Sequence, residues 1–289
     1  MLAHAFVRDA LIAGSLIAVA SGLIGYFVVL RAQVFAGDAL SHVAFTGAVA
    51  AALVGVDVRI GLFAATVLGG IGLAALGRRA QADDVAIGTV LTWVLGLGVL
   101  FLALVASGAG GGNGILAARQ LFGSIFSLSG ADTLLAALLA AVIIVGALMI
   151  ARPLLFASLD PEVARAQGVP VRLLGVLFLG LLGLDAGEAT QAVGALLLLG
   201  LLSAPAGAAR RLTSNPYLGL ALSALLALVS VWVGVTLSYQ ISSLPPSSAI
   251  IAVASAVYAI SFLATWRRSR WSDSDDGLAG GSATSIGGA

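Results

Sequence analysis

Val34-Phe35-Ala36-Gly37-Asp38-Ala39-Leu40-Ser41-His42-Val43-Ala44-Phe45-Thr46, continuing through Gly47 to Val56, is a run of 23 residues in which one carboxylate and one imidazole interrupt an otherwise apolar stretch. The length suits a single transmembrane helix, which needs about 20 mostly apolar residues to cross the hydrocarbon core. On such a helix the four-residue spacing of Asp38 and His42 is one turn, so both stand on one stripe. A carboxylate at the bilayer centre costs roughly 2.5–3.5 kcal/mol on insertion scales, and normally faces a bundle interior or a pathway rather than lipid. Both side chains ligate metals. The stretch is therefore read as a helix of a bundle and as a candidate metal site.

The rest of the chain agrees with a membrane setting. Of 289 residues, 60% are hydrophobic and 9% charged, against about 25% charged in an ordinary soluble domain. Mean hydropathy is +1.12. Apolar runs near 10–30, 34–56, 60–76, 85–106, 134–150, 173–184, 189–204, 218–237 and 248–265 predict an all-α, polytopic integral membrane helix bundle of about eight or nine transmembrane helices. Residues 1–270 form this domain, and residues 271–289, rich in Ser, Gly and Asp without apolar periodicity, are expected to be a disordered tail. With no cysteine, disulfides and thiolate metal sites are impossible. Lysine is also absent, which excludes a Gly-Lys-Ser/Thr phosphate loop and hence ATP hydrolysis by that route. The net charge of +1 and the scattered arginines give no field suited to nucleic acid.

The arginines instead mark sidedness. Placing Arg31, Arg78, Arg79, Arg152, Arg165, Arg172, Arg210, Arg211, Arg267, Arg268 and Arg270 on one side leaves only Arg8, Arg59 and Arg119 on the other. The positive-inside rule makes the richer side cytoplasmic, with the C-terminus inside and the N-terminus outside if nine runs cross. The first run continues too far, to Leu30, for a cleaved signal peptide, although Ala18-Val19-Ala20 has a small-x-small pattern. Ser107–Gly114 reads as a flexible outer connection. The 37 glycines are read chiefly as close-packing residues between helices.

Between Arg152 and Arg172 lies the polar segment Leu159-Asp160-Pro161-Glu162-Val163-Ala164-Arg165-Ala166-Gln167-Gly168-Val169-Pro170. It predicts a short helix outside the bilayer. Asp160 is a candidate N-cap, Pro161 fits the first helical position and Glu162 complements the helix dipole. Gly168 and Pro170 stop it.

Phe27-Val28-Val29-Leu30-Arg31, the Gly-Asp-Ala-Leu-Ser-His run at 37–42 and Leu121-Phe122-Gly123-Ser124-Ile125 together resemble the membrane subunit of the zinc/manganese class of ABC importers. Two further stretches are similar to that family: the segment from Leu159 through Val169, and Gln191-Ala192-Val193-Gly194-Ala195-Leu196-Leu197 through Pro205-Ala206. The likeness covers about residues 5–268. It implies a multi-pass permease of a prokaryotic plasma (inner) membrane, without a nucleotide site or tightly bound cofactor of its own. The resemblance also implies its partners: a second permease copy, two cytoplasmic ATPase subunits and an extracytoplasmic solute-binding protein. Asp38 and His42 are then the pathway ligands for a transported divalent ion, zinc or manganese and possibly iron. Oxygen and nitrogen donors suit either of the first two. Asp160, Glu162, Arg165 and Gly168 become the element that couples to the ATPase.

Other residues carry weaker expectations. The outer connection from Ser238 to Ser248 lacks the acidic residue that many relatives carry before the prolines, which puts a metal relay there in doubt. Asp185 and Glu188 lie between two apolar runs and are read as a solvated turn, with cation attraction or contact with the binding protein as the sharper alternative. His4 is placed in a fraying terminus, and Asp83 and Asp84 are expected to cap the fourth span. A rival function is a proton-coupled secondary metal transporter with Asp38 and His42 as relay. An intramembrane hydrolase fails on ligand number, since catalytic zinc usually takes three protein ligands.

Overall fold

The computed structural model describes residues 5–75, 84–107, 121, 123, 125–127, 130–195, 198–241 and 243–280. The described residues are helical with short connections. The elements are α1 (Ala5–Leu30), α2 (Val34–Val54), α3 (Val58–Ala75), α4 (Asp84–Ser107), a 3-10 turn at Ile125–Ser127, α5 (Gly130–Leu159), α6 (Pro161–Ala166), α7 (Val171–Ala192), α8 (Leu198–Leu212), α9 (Pro216–Gln240) and α10 (Pro246–Gly280). Eight of them are long and apolar enough to cross a bilayer. The ninth expected crossing, α8, has 15 residues, a length of about 22 Å at 1.5 Å per residue, and runs back across only part of the bundle.

Contacts at the two ends fix the directions. At one end Arg31, just past α1, donates to Ser158 of α5 and lies 5.6 Å from the ring centre of Phe178 on α7. Arg210, late in α8, donates to the Val29 carbonyl at the same end. At the opposite end Arg59 of α3 pairs with Asp132 of α5, and Phe6 stacks edge-on against Phe126. The spanning helices therefore alternate in direction. The short helix α6 lies at the arginine-rich end.

The centre of the bundle is α1, which packs on α5, α7, α8 and α9. Phe27, Ile24, Phe178, Leu182 and Leu202 are fully buried around it. Lipid offers apolar groups no drive into a protein core, so the helices associate where small residues let backbones touch. A methyl group at Gly25 would overlap the Leu202 carbonyl of α8, and one at Gly70 would overlap that of Leu179 on α7. Gly47 and Gly61 meet reciprocally between α2 and α3.

Two expectations are corrected. Asp185 and Glu188 do not lie in a solvated turn: both are inside α7, each 1% exposed. The chain breaks later, at Val193 and Gly194, where Gly194 adopts φ +95°. Charge within an apolar run resembles a connection, but the backbone turns where glycine permits a left-handed conformation. Second, α10 continues to Gly280, ten residues into the segment read as a disordered tail. No proline or glycine interrupts Ser247–Asp276, and extending an existing helix needs no new nucleus.

Candidate metal site and coupling element

Helix α2 starts at the arginine-rich end, so Asp38 and His42 lie about 6 and 12 Å along its axis. Their stripe is Phe35, Asp38 and His42, and the bundle leaves it only partly covered at the arginine-rich end. Phe35 is 61% exposed, and the side chains of His42 and Asp38 are 13% and 27% exposed. Neighbouring positions, and Thr46 one turn further along the stripe, are covered. Gly37 sits against Leu202 of α8 and Leu182 of α7, Gly47 meets α3, and Thr46 donates to the Val94 carbonyl of α4 at 2.9 Å.

His42 Nε2 and Asp38 Oδ1 are 4.0 Å apart. That is too long for a hydrogen bond, yet shorter than two metal–ligand bonds of about 2.1–2.2 Å placed end to end. One ion can thus touch both groups. Ser41 donates to the Asp38 carbonyl at 2.7 Å, tightening the turn that carries the carboxylate. His42 Nδ1 is buried with no hydrogen-bond partner. Among the described residues no group of three or more His, Cys, Asp or Glu side chains gathers at any point. This chain alone offers two ligands at a partly covered face.

The polar segment folds as its punctuation predicts. Asp160 Oδ1 accepts from the Glu162 and Val163 amides at 3.1 and 3.0 Å, Pro161 opens α6, and Gly168 closes it with φ +83°. Ala164 is buried and anchors the helix, while Glu162, Arg165 and Gly168 are exposed. The result is a capped helix that presents a polar face outward from the arginine-rich end.

Some candidate residues fall elsewhere. His4, Asp83, Arg78, Arg79 and Arg119 lie outside the described residues, and Asp84 is the first residue of α4. Two distant motifs prove to be neighbours: Gly123, with φ +68°, packs backbone to backbone on Val193 and Gly194. Sequence reasoning missed the contact of Asp185 with Ser21 of α1, whose hydroxyl donates to Oδ1 at 3.0 Å. The periodic continuity from Leu173 through Ala192 was the available signal.

With this geometry in view, comparison with known proteins is specific. The profile of the ABC 3 transport family matches residues 3–265. The manganese transport system membrane protein MntC of Halalkalibacterium halodurans is 29% identical over 265 residues, covering 91% of this chain and 88% of the relative. The manganese transport system membrane protein MntD of Bacillus subtilis is 31% identical over 267 residues, covering 86% and 89%. A solved structure, PsaBC from Streptococcus pneumoniae in complex with Fab, superposes with a TM-score of 0.77 at 27% identity, covering 90% of this chain and 91% of that one.

Proposed function

The chain belongs to the ABC 3 transport family, and from that membership we propose that it is the permease of an ATP-driven importer whose cargo is manganese. The relatives named for manganese transport support the cargo. Zinc and iron are the other ions to which the same donors would be open.

The observation that carries the reading is the pairing of Asp38 with His42 on a partly exposed stripe of α2. Two donors 4.0 Å apart cannot complete the coordination of a divalent ion, and no third acidic or histidine side chain joins them among the described residues. A second copy facing this stripe would supply another carboxylate and another imidazole, giving a mixed O/N set at a two-fold axis. A homodimer with a shared pathway follows from that need. The arginine-rich end is cytoplasmic in this reading, so the C-terminus is inside and α6 faces an ATPase subunit. Asp160 holds α6 in shape, while Glu162 and Arg165 make the polar contacts and Gly168 ends the element. ATP binding by the partner would draw the two α6 helices together and move α5 and α7, which flank α6 in the chain. A solute-binding protein would deliver the ion at the opposite end. The chain has no lysine for a phosphate loop, consistent with hydrolysis in the partner, and family membership disfavours a proton-coupled carrier.

The test is uptake of radioactive manganese, and of zinc in a separate assay, by proteoliposomes holding this chain, its ATPase and its binding protein. ATP-dependent manganese uptake that disappears in Asp38→Asn and His42→Ala is the expected result. Uptake driven by a proton gradient without ATP would overturn it.

A further inference from the structure

We propose that Asp185 and Glu188 form a second cation site within each chain, taking a small hard divalent ion such as manganese, magnesium or calcium. It lies where α7 packs on α1 and α5, apart from the Asp38/His42 stripe, and stands independently of the reading given to that stripe.

Both carboxylates are 1% exposed. Ser21 donates to Asp185 Oδ1. The other three oxygens, Asp185 Oδ2 and Glu188 Oε1 and Oε2, are buried without a hydrogen bond. The Ala140 backbone of α5 lies beside Glu188. Arg59, which lines the same cavity as Glu188, is engaged by Asp132. Buried carboxyls are paired, coordinate a metal or are neutralised by a proton, and that guanidinium is already taken. Glu188 also lines a cavity of about 10 Å³ together with Gln191, Ile17, Asp132 and Arg59, room for about one water or one unhydrated ion. It opens toward the Arg59–Asp132 end, and Glu188 sits about 6 Å from the end of α7 on that side.

A metal ion answers the chemistry better than protons. A protonated carboxyl is a donor that needs an acceptor, and neither oxygen of Glu188 has a hydrogen-bond partner. One divalent ion held between Asp185 and Glu188, three residues apart on α7, would balance two carboxylate charges. The donors are oxygens throughout: two carboxylates, the Ser21 hydroxyl and the Gln191 amide. Such a set selects hard cations. Bound there, the ion would tie α1 to α7.

The experiment uses the full-length chain in lipid nanodiscs, in an Asp38→Asn/His42→Ala background that removes the first site. After chelation and dialysis, manganese is added, bound metal is counted by mass spectrometry and the melting temperature is recorded. One ion per chain with a rise in melting temperature is expected, both lost on adding Glu188→Gln. Asp185→Asn is the second isosteric variant should the first not fold. Absence of a bound ion in the background protein, or an unchanged ion in both variants, overturns the proposal. So does a carboxylic-acid carbonyl band that persists with metal present and vanishes in Glu188→Gln, because protons would then occupy the pair.

Discussion

At the residue scale, Asp160 separates local shape from charge. Its Oδ1 caps two amides of a six-residue helix, too short to persist without such help. Asp160→Ala should cost about 1 kcal/mol of local helix stability, and is expected to lower ATP-driven uptake while leaving the fold intact. Asp160→Asn caps nearly as well and should retain transport; equal loss in both variants would mean that the carboxylate itself contacts the partner. Asp38 tests a different property. Asp38→Asn keeps shape and hydrogen bonding but removes the ionised donor, so uptake should fall to the level without ATP while the protein purifies and melts as the wild type does.

At the scale of elements, the glycines divide into those that hold a crossing together and those that merely occupy a helix. Gly123 and Gly194 both have positive φ, and a methyl group at Gly123 would overlap the backbone of Val193 and Gly194. Gly123→Ala should therefore destabilise the protein by about 1–3 kcal/mol, from strain and overpacking together. Gly72, inside α3, has open space where a methyl group would go; Gly72→Ala should be neutral or stabilising by about 0.5–1 kcal/mol. Melting curves of the two variants in the same detergent distinguish these outcomes. The turn of Gly194 also explains why the boundary between α7 and α8 was misplaced. Asp185 and Glu188 resembled a connection in the linear pattern, yet α7 runs through them to Ala192 and the chain turns only at Gly194.

For the whole molecule, the absence of cysteine makes cross-linking a clean test of assembly. Phe35 stands on the partly exposed stripe with Asp38 and His42. If two copies meet there, Phe35→Cys should give disulfide-linked dimers in membranes on mild oxidation. Met149, 77% exposed on α5, should give none as Met149→Cys. The reverse pattern would relocate the interface and with it the shared site.

Read alone, the chain settled what depends on composition and short-range spacing. Apolar runs of spanning length required a helical membrane bundle, one helical turn aligned Asp38 with His42, and Asp160-Pro161 opened a short helix whose capping bonds are local. These features rest on interactions within a few residues and so are written in the linear order. Only the tertiary structure decided which positions of α2 stay partly exposed, because that depends on where α3, α4, α7 and α8 pack. Gly123 against Gly194, and Ser21 against Asp185, join residues far apart in the chain, through contacts that leave no periodic trace. The buried carboxylates of α7 belong to the same class: whether a charge in an apolar run meets water or lies sealed among helices is set by its neighbours in space.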